Sequence, residues 1–276
     1  MSLSVPSSFN RPAPDVSLAA DAAAADGVAV RAVTVDDIRA ALRAGLADFM
    51  AMPTHVIFLV VIYPVIGMII ARLTVDGDLL PLAYPLSAGF ALLGPFAALG
   101  TYELSRRRER GEAPTWHDAL DALRRPGAPA IAALALVQLG IFVAWIATAQ
   151  LLFTALAGDQ HPQSVGDLLR FAFGTPAGWT LVVLGNGLGA LFAALAFALA
   201  VVSLPLLLDR GGSAAAAVRT SIRAVRASPG PMALWGFIVA AVLFAGCLPV
   251  FVGLAVALPV LGHATWHLYR RAVPAA

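Results

Sequence analysis

The sequence predicts an all-α bundle crossing a membrane about six times, with short amphipathic helices on its cytoplasmic side. Three observations carry that prediction. The chain is 60% hydrophobic and only 12% charged, with a mean hydropathy of +0.84, which leaves too little polar surface for a soluble domain of 276 residues. The apolar residues are bunched into runs of about 20 or more, the length a bilayer core demands of a helix. The basic residues, all 18 of them arginine, stand almost entirely in alternate connections between those runs.

Residues 1–30 are rich in Ala, Ser, Pro and Asp, and read as a disordered tail. They carry neither a basic n-region nor an apolar h-region, so no export signal is expected there. The membrane domain is drawn from residue 31 to residue 271, with 272–276 as a C-terminal tail. Its first span runs from about His55 to Leu73 and its second from about Leu79 to Leu104. The third lies between Ala128 and Ala157, and the fourth between Trp179 and Leu208. Met232 to Trp266 would be ~50 Å long as a single helix, against a ~30 Å hydrocarbon core. Two short spans turning near Cys247-Leu248-Pro249 fit better, because proline cannot continue a helix. Five spans is the alternative.

Arginine placement favours six. With the N-terminus inside, four arginines (Arg11, Arg31, Arg39, Arg43) precede the first span and six lie between Arg106 and Arg125. Four more lie between Arg210 and Arg226, and Arg270 and Arg271 follow the last span. Sixteen of the 18 are then cytoplasmic, and only Arg72 and Arg170 fall outside. The positive-inside rule therefore predicts a bacterial-type inner-membrane protein with both termini in the cytoplasm. The same placement explains the basic residues without nucleic acid. The lone Cys247, inside an apolar run, rules out an internal disulfide and a cysteine-based zinc site.

Three cytoplasmic segments look like copies of one unit. Thr34-Val-Asp-Asp37 leads to Ala41-Leu42-Arg43, and Thr115-Trp-His-Asp118 leads to Ala122-Leu123-Arg124 at the same spacing. Thr followed three residues later by an acid is a helix N-terminus signature: the hydroxyl caps an orphan amide and the acid faces the positive end of the dipole. The third copy is looser, with Ser213 as cap and Ala224-Val225-Arg226 at its end. Val35, Ile38, Leu42, Leu46 and Phe49 form an apolar stripe in the first, as Val218, Ile222 and Val225 do in the third. The expectation is a threefold repeat of amphipathic helix plus transmembrane hairpin, seated on anionic inner-leaflet lipid, where each nearby Arg is worth ~1 kcal/mol.

Leu92-Leu93-Gly94-Pro95, running into Tyr102-Glu103-Leu104-Ser105-Arg106-Arg107, resembles an uncharacterised bacterial family of integral membrane proteins, domain of unknown function 2189. So do Pro205-Leu206-Leu207-Leu208-Asp209-Arg210, Ala217-Val218-Arg219-Thr220-Ser221 and Met232-Ala233-Leu234-Trp235-Gly236, a resemblance that extends over about 31–271. It implies a six-span helical membrane protein and brings no established activity.

Few residues offer chemistry. His263 and His267, at i and i+4, share a helix face and could begin a metal site, but a third ligand would have to come from elsewhere. They sit beside Trp266, Tyr269, Arg270 and Arg271, which read as a membrane interface; no metal, haem or other cofactor is expected. In Trp116-His117-Asp118 the His and the acid are adjacent on a helix and point apart. Glu103 and Asp209 end spans beside arginines, so pairing is expected, with a functional carboxylate at membrane depth as the alternative. Gln138, Gln150, Thr148 and Asn186 suit interhelical hydrogen bonds of ~0.6 kcal/mol each. Gly185 and Gly189 suit close helix contact, and Asn186 beside them is the candidate for a substrate site. The scarcity of charge in mid-membrane argues against an ion-coupled pump. The expected function is non-enzymatic, in transport, envelope organisation or lipid handling. The rivals are a redox or metal subunit on His263 and His267, and a scaffold gripping a cytosolic partner through its arginine loops.

Overall fold

The structure is a computed structural model that describes residues 28–52, 67–68, 80–90, 94–158, 162, 164–248 and 253–274. Among these every regular element is helical. The first predicted span, 55–73, lies outside the described residues except for 67–68. The helices are α1 (Val35–Ala51), α2 (Ala83–Phe90), α3 (Gly94–Ala97), α4 (Leu99–Glu109), α5 (Ala128–Ala157), α6 (Val165–Gly174), α7 (Pro176–Ala200), α8 (Ser203–Arg210), α9 (Ala214–Ala227), α10 (Pro229–Cys247) and α11 (Leu254–Ala272). Two 3₁₀ helices, Leu80–Leu82 and Trp116–Arg124, complete the described elements.

Among the described residues three stretches are long and apolar enough to cross a membrane: α5, α7 running into α8, and α10. Their apolar windows are 22%, 56% and 17% buried respectively. That contrast places α5 and α10 on the outside of the bundle, with α7–α8 inside. The second predicted span is helical in pieces, α2, α3 and α4, rather than one rod; Pro85 and Pro95, which donate no backbone hydrogen bond, fall within it. Met232–Trp266 falls in two helices, α10 and α11, of which only α10 is among those stretches, and Pro249 itself lies outside the described residues.

The core sits where α4, α8 and α11 converge. Leu104, Leu204, Leu207, Leu208, Leu268, Trp266 and Tyr269 are each at most 2% exposed there. Against that core the amphipathic elements dock in a consistent order. Helix α1 packs on α11, the Trp116–Arg124 helix on α4, and α9 on α7 and α8. The ends of the chain meet: the Arg31 amide donates to Ala272 O at 2.8 Å, and Arg31 Nε to Arg271 O at 3.0 Å. Val28 and Val30 pack against the core, Val273 is buried, and Pro274 O accepts from Arg210.

The predicted caps form. The Asp37 amide donates to the Thr34 hydroxyl at 3.2 Å, while Asp37 Oδ2 accepts from the Thr34 amide at 3.0 Å. Ser213 Oγ accepts from the Ala216 amide at 3.2 Å. The face that docks coincides with the apolar stripes only in part: Ile38 is buried in it, and Leu42, Val218 and Val225 pack half-buried against the core. On α1 the buried residues are Asp37, Ile38, Ala41, Gly45 and Asp48, while Val35 and Leu46 are 41% and 49% exposed. On α9 the buried residues are Ala217, Thr220, Ser221 and Ala224. Small side chains let two helix backbones approach closely. A Cβ at Gly45 would lie 2.5 Å from Ala264 N.

The Trp116 segment winds as 3₁₀ rather than α. With three residues per turn, Asp118, Asp121 and Arg124 fall on one face, and both acids of that face meet Arg107 (2.6 and 2.7 Å). Helix α6 was not anticipated. Ser164 caps it, Phe171 is buried edge-on to Phe153 of α5, and Gly178 of α7 passes so close to Phe171 O that no side chain fits there. Val165, Leu169 and Phe173 are left exposed along one edge.

Candidate functional site

Helices α1, α4 and α11 cross at a buried polar cluster. Asp48 arrives from α1 because it shares a face with Asp37, Ala41 and Gly45, and Gly45 admits the α11 backbone three residues earlier. Helix α4 contributes Ser105 and Arg108; α11 contributes His263 and His267, one turn apart. Asp48 Oδ1 accepts from Arg108 Nη1 at 2.5 Å. Asp48 Oδ2 accepts from the Ser105 hydroxyl at 2.6 Å and lies 2.8 Å from His267 Nε2. Ser105 Oγ in turn lies 2.6 Å from His263 Nδ1. Ser105 and His263 are fully buried and Asp48 is 5% exposed. Burial pushes the Asp48 carboxyl up, but the bonds from His267 and Ser105 and the charge around it outweigh that, so it sits below the usual carboxylate range. The rim is tied as well: Trp266 Nε1 donates to Glu109 at 3.1 Å, and Arg270 Nε to the same carboxylate at 3.0 Å.

Glu103, on the same helix as Ser105, is fully buried and engaged by three arginines. Arg106 grips both oxygens (2.6 and 2.9 Å), Arg125 does the same from beyond the Trp116 helix (2.5 and 3.2 Å), and Arg107 Nε adds a bond of 2.9 Å. Arg107 continues to Asp118 and Asp121, and bonds from the Thr115 backbone and hydroxyl, with that arginine, hold Asp118 below its ordinary value. Asp209 accepts from the Tyr269 hydroxyl at 2.9 Å and lies 3.6 Å from Arg270 Nη1. Both carboxylates are therefore paired in the described structure.

The remaining residues singled out by sequence are scattered. Gln138 is buried and donates to Ala196 O at 2.9 Å, whereas Gln150 is exposed. The Thr148 hydroxyl bonds only within its own helix, to Ala144 O. Asn186 is exposed and accepts from the Tyr84 hydroxyl at 2.7 Å. Gly185 and Gly189 face α5, beside Leu152 and Trp145. Nothing gathers these residues into one site.

His263 and His267 do come together with an acid, although the partner is Asp48, which sequence reasoning had not placed near them. Among the described residues no group of three or more His, Cys, Asp or Glu is disposed to hold a metal ion. His263 Nδ1 and His267 Nε2 are already committed to Ser105 and Asp48.

The segment that supplies α2 to α8, and with them Glu103 and Ser105, is also where a known family is met. Residues 83–209 match the DUF2189 family of predicted integral membrane proteins. This matched stretch is narrower than the 31–271 that the resemblance implied, and it leaves α1 and α11 outside. No curated protein and no solved structure matches the chain. The chain is an integral membrane protein, and every regular element among its described residues is helical.

Proposed function

We propose that the chain is a six-span, non-catalytic protein of a bacterial inner membrane, with both termini cytoplasmic, that works against an anionic inner leaflet in transport, envelope organisation or lipid handling. Its three units of amphipathic helix plus hairpin would place α1, the Trp116 helix and α9 as a collar on one face of the membrane. One observation carries this reading: apolar side chains on the collar are left exposed beside arginines. On α1 these are Val35, Leu46 and Met50 (69% exposed), next to Arg39 and Arg43. On the Trp116 helix they are Leu120 and Leu123 (70% exposed), next to Arg124. Such an edge gains from burial at the headgroup boundary, and its arginines gain from anionic lipid. The repeat is supported by a recurring contact. The capping acid Asp37 meets Arg271 at the end of α11 (3.1 Å), and the capping acid Asp118 meets Arg107 near the end of α4.

Topology reporters test the reading. Fusions at Gly111, Gly212 and the C-terminus should report cytoplasmic, and fusions at Gly77 and Gln160 periplasmic. A periplasmic C-terminus would overturn the six-span arrangement. Reconstituted into vesicles, the protein should shield Leu46 and Leu123 from aqueous probes when anionic lipid is present, and less so in neutral lipid at high salt. Equal exposure in both would remove the collar.

A further inference from the structure

We propose that α6 is an in-plane lipid anchor: its exposed apolar edge, Val165, Leu169 and Phe173, rests in the headgroup boundary of the leaflet opposite the Trp116 helix. With ten residues α6 is about 15 Å long, too short to cross a bilayer. Its side chains divide into three faces. Leu168 and Phe171 turn inward, to the cluster that holds Phe153 of α5 and Leu181 of α7. Asp167 and Arg170 make a polar face, on which Arg170 Nη2 lies 3.3 Å from Asp167 Oδ1. Val165, Leu169 and Phe173, each one turn from the next, make the third, and all three are more than half exposed. A helix with one face on protein, one polar and one apolar but uncovered fits a boundary between water and lipid.

The surroundings say what covers that edge. Helix α5, with 30 residues and a length of about 45 Å, separates α6 from the Trp116 helix. Both α5 and α7 are long and apolar enough to cross the membrane, and α6 is the connection between them, so it lies where they emerge. The apolar edge continues onto α7: the Phe173 and Trp179 rings meet edge-on at 5.6 Å, and Val183, one turn on from Trp179, is exposed as well. The outer surface of α7 thus runs into α6 through a tryptophan, the residue that favours a membrane interface. The corner is also fixed and its backbone satisfied. The Thr175 hydroxyl donates to Phe171 O and accepts from the Gly178 amide, both at 2.9 Å, and Trp179 Nε1 donates to Phe173 O at 3.1 Å. Both carbonyls belong to the last turn of α6, where acceptors have no partner within the helix; capped in this way, they tolerate a place where water is scarce. The single acid and single base of α6 cancel, so insertion is carried by apolar burial and is indifferent to headgroup charge, unlike the arginine collar. The inference requires only that α5 and α7 cross the membrane, and it rests neither on the collar nor on the number of spans.

The test uses the full chain in lipid nanodiscs, with Cys247→Ser as the background for single cysteines that carry a nitroxide. At Val165→Cys, Leu169→Cys and Phe173→Cys the label should collide with oxygen more than with a water-soluble nickel chelate, at a depth of ~5–10 Å into the headgroup boundary. At Arg170→Cys and Gly174→Cys the nickel chelate should dominate. The depths should be the same in neutral and anionic lipid, and at low and high salt. A second reading needs no cysteine: brominated lipid should quench a fluorescence component that is missing from Trp179→Phe, and aqueous iodide should leave that component unchanged. Nickel access equal at all five labelled positions overturns the anchor, as does a Trp179 component quenched by iodide and not by brominated lipid. Insertion that is lost at high salt overturns it too. Shielding found only in nanodiscs that hold two copies assigns the edge to a second chain and overturns it equally.

Discussion

Replacing Gly45 by leucine should release α1 from α11. A Cβ at this position would lie 2.5 Å from Ala264 N and 2.7 Å from Ala264 Cα, both backbone atoms of a helix that cannot step aside. Carbon contacts settle near ~3.5–4.0 Å, so α1 must retreat by about 1 Å, and further for a full leucine. Asp48 lies one turn along the same face, and its bonds to Ser105 and His267, at 2.6 and 2.8 Å, would stretch beyond useful length. Overpacking alone costs ~1–3 kcal/mol, and losing a charged hydrogen bond costs ~1.5–3 kcal/mol more. Gly45→Leu should therefore favour opening of α1 by about 3 kcal/mol, roughly a hundredfold. Gly45→Ala brings the same Cβ against Ala264 and should also loosen α1, less than leucine does because it lacks the rest of the side chain and recovers ~1 kcal/mol of helix propensity. Hydrogen exchange in lipid nanodiscs reads this directly: the amides from Ile38 to Asp48 should exchange about a hundredfold faster in Gly45→Leu, while those of α7 hold. Exchange within twofold of the parent would refute the close crossing of α1 and α11.

Two further outcomes follow from the ion pairs. Glu103→Gln leaves three arginines around a neutral side chain, one of them, Arg106, only 3% exposed. Stripping one partner from a buried ion pair costs ~3–5 kcal/mol, so the variant should melt well below the parent or fail to purify as a single species; parent-like melting would show that the arginines do not need the acid. Acid should loosen α1 as well. Asp48 and Asp37 both have folded values below the unfolded 3.8. Asp37 is held at about 2 because bonds from Thr34, Arg271 and Arg31 more than offset its burial. Groups depressed in this way contribute fully above the unfolded value, and the contribution is lost as pH falls through the folded one. Docking of α1, followed by exchange of its amides, should therefore hold from pH 7 to about 5 and fail between about 4 and 2; failure beginning near pH 6 would point to another group.

Much of the fold is written in length and caps. Run length and hydropathy located α5, α7 and α10, and the Thr-x-x-Asp spacing located α1 and the Trp116 helix, because both depend on near neighbours in sequence. The docking face of α1 was harder to see. Its large apolar residues drew attention to Val35, Leu42 and Leu46, whereas the buried face is made of Asp37, Ile38, Ala41, Gly45 and Asp48. The 37, 41, 45, 48 spacing is itself helical, and a stripe of small residues ending in an acid was a legible signal that a second helix would lie there. The partner of that acid was not legible. Nothing local brings Asp48 to His267 across 219 residues, and nothing in the hydropathy of α4 marks Ser105 as buried. Helix α6 was missed for another reason: ten residues between two long spans are outweighed in any window wide enough to find a span.

The crossing of α1 and α11 also sets an order of events during synthesis. Helix α1 is made before any of the long helices, but its docking surface is the last helix of the described chain. At ~5–20 residues per second, the interval between Asp48 and His267 is roughly 10–40 s. Throughout that time the acid and the small-residue face of α1 have no α11 to meet, whereas Leu46 and Met50, which stay exposed even in the finished fold, can lie on the bilayer at once. On the proposed lipid reading, α1 would rest on lipid until α11 has been made, and the Arg31 amide then meets Ala272 O.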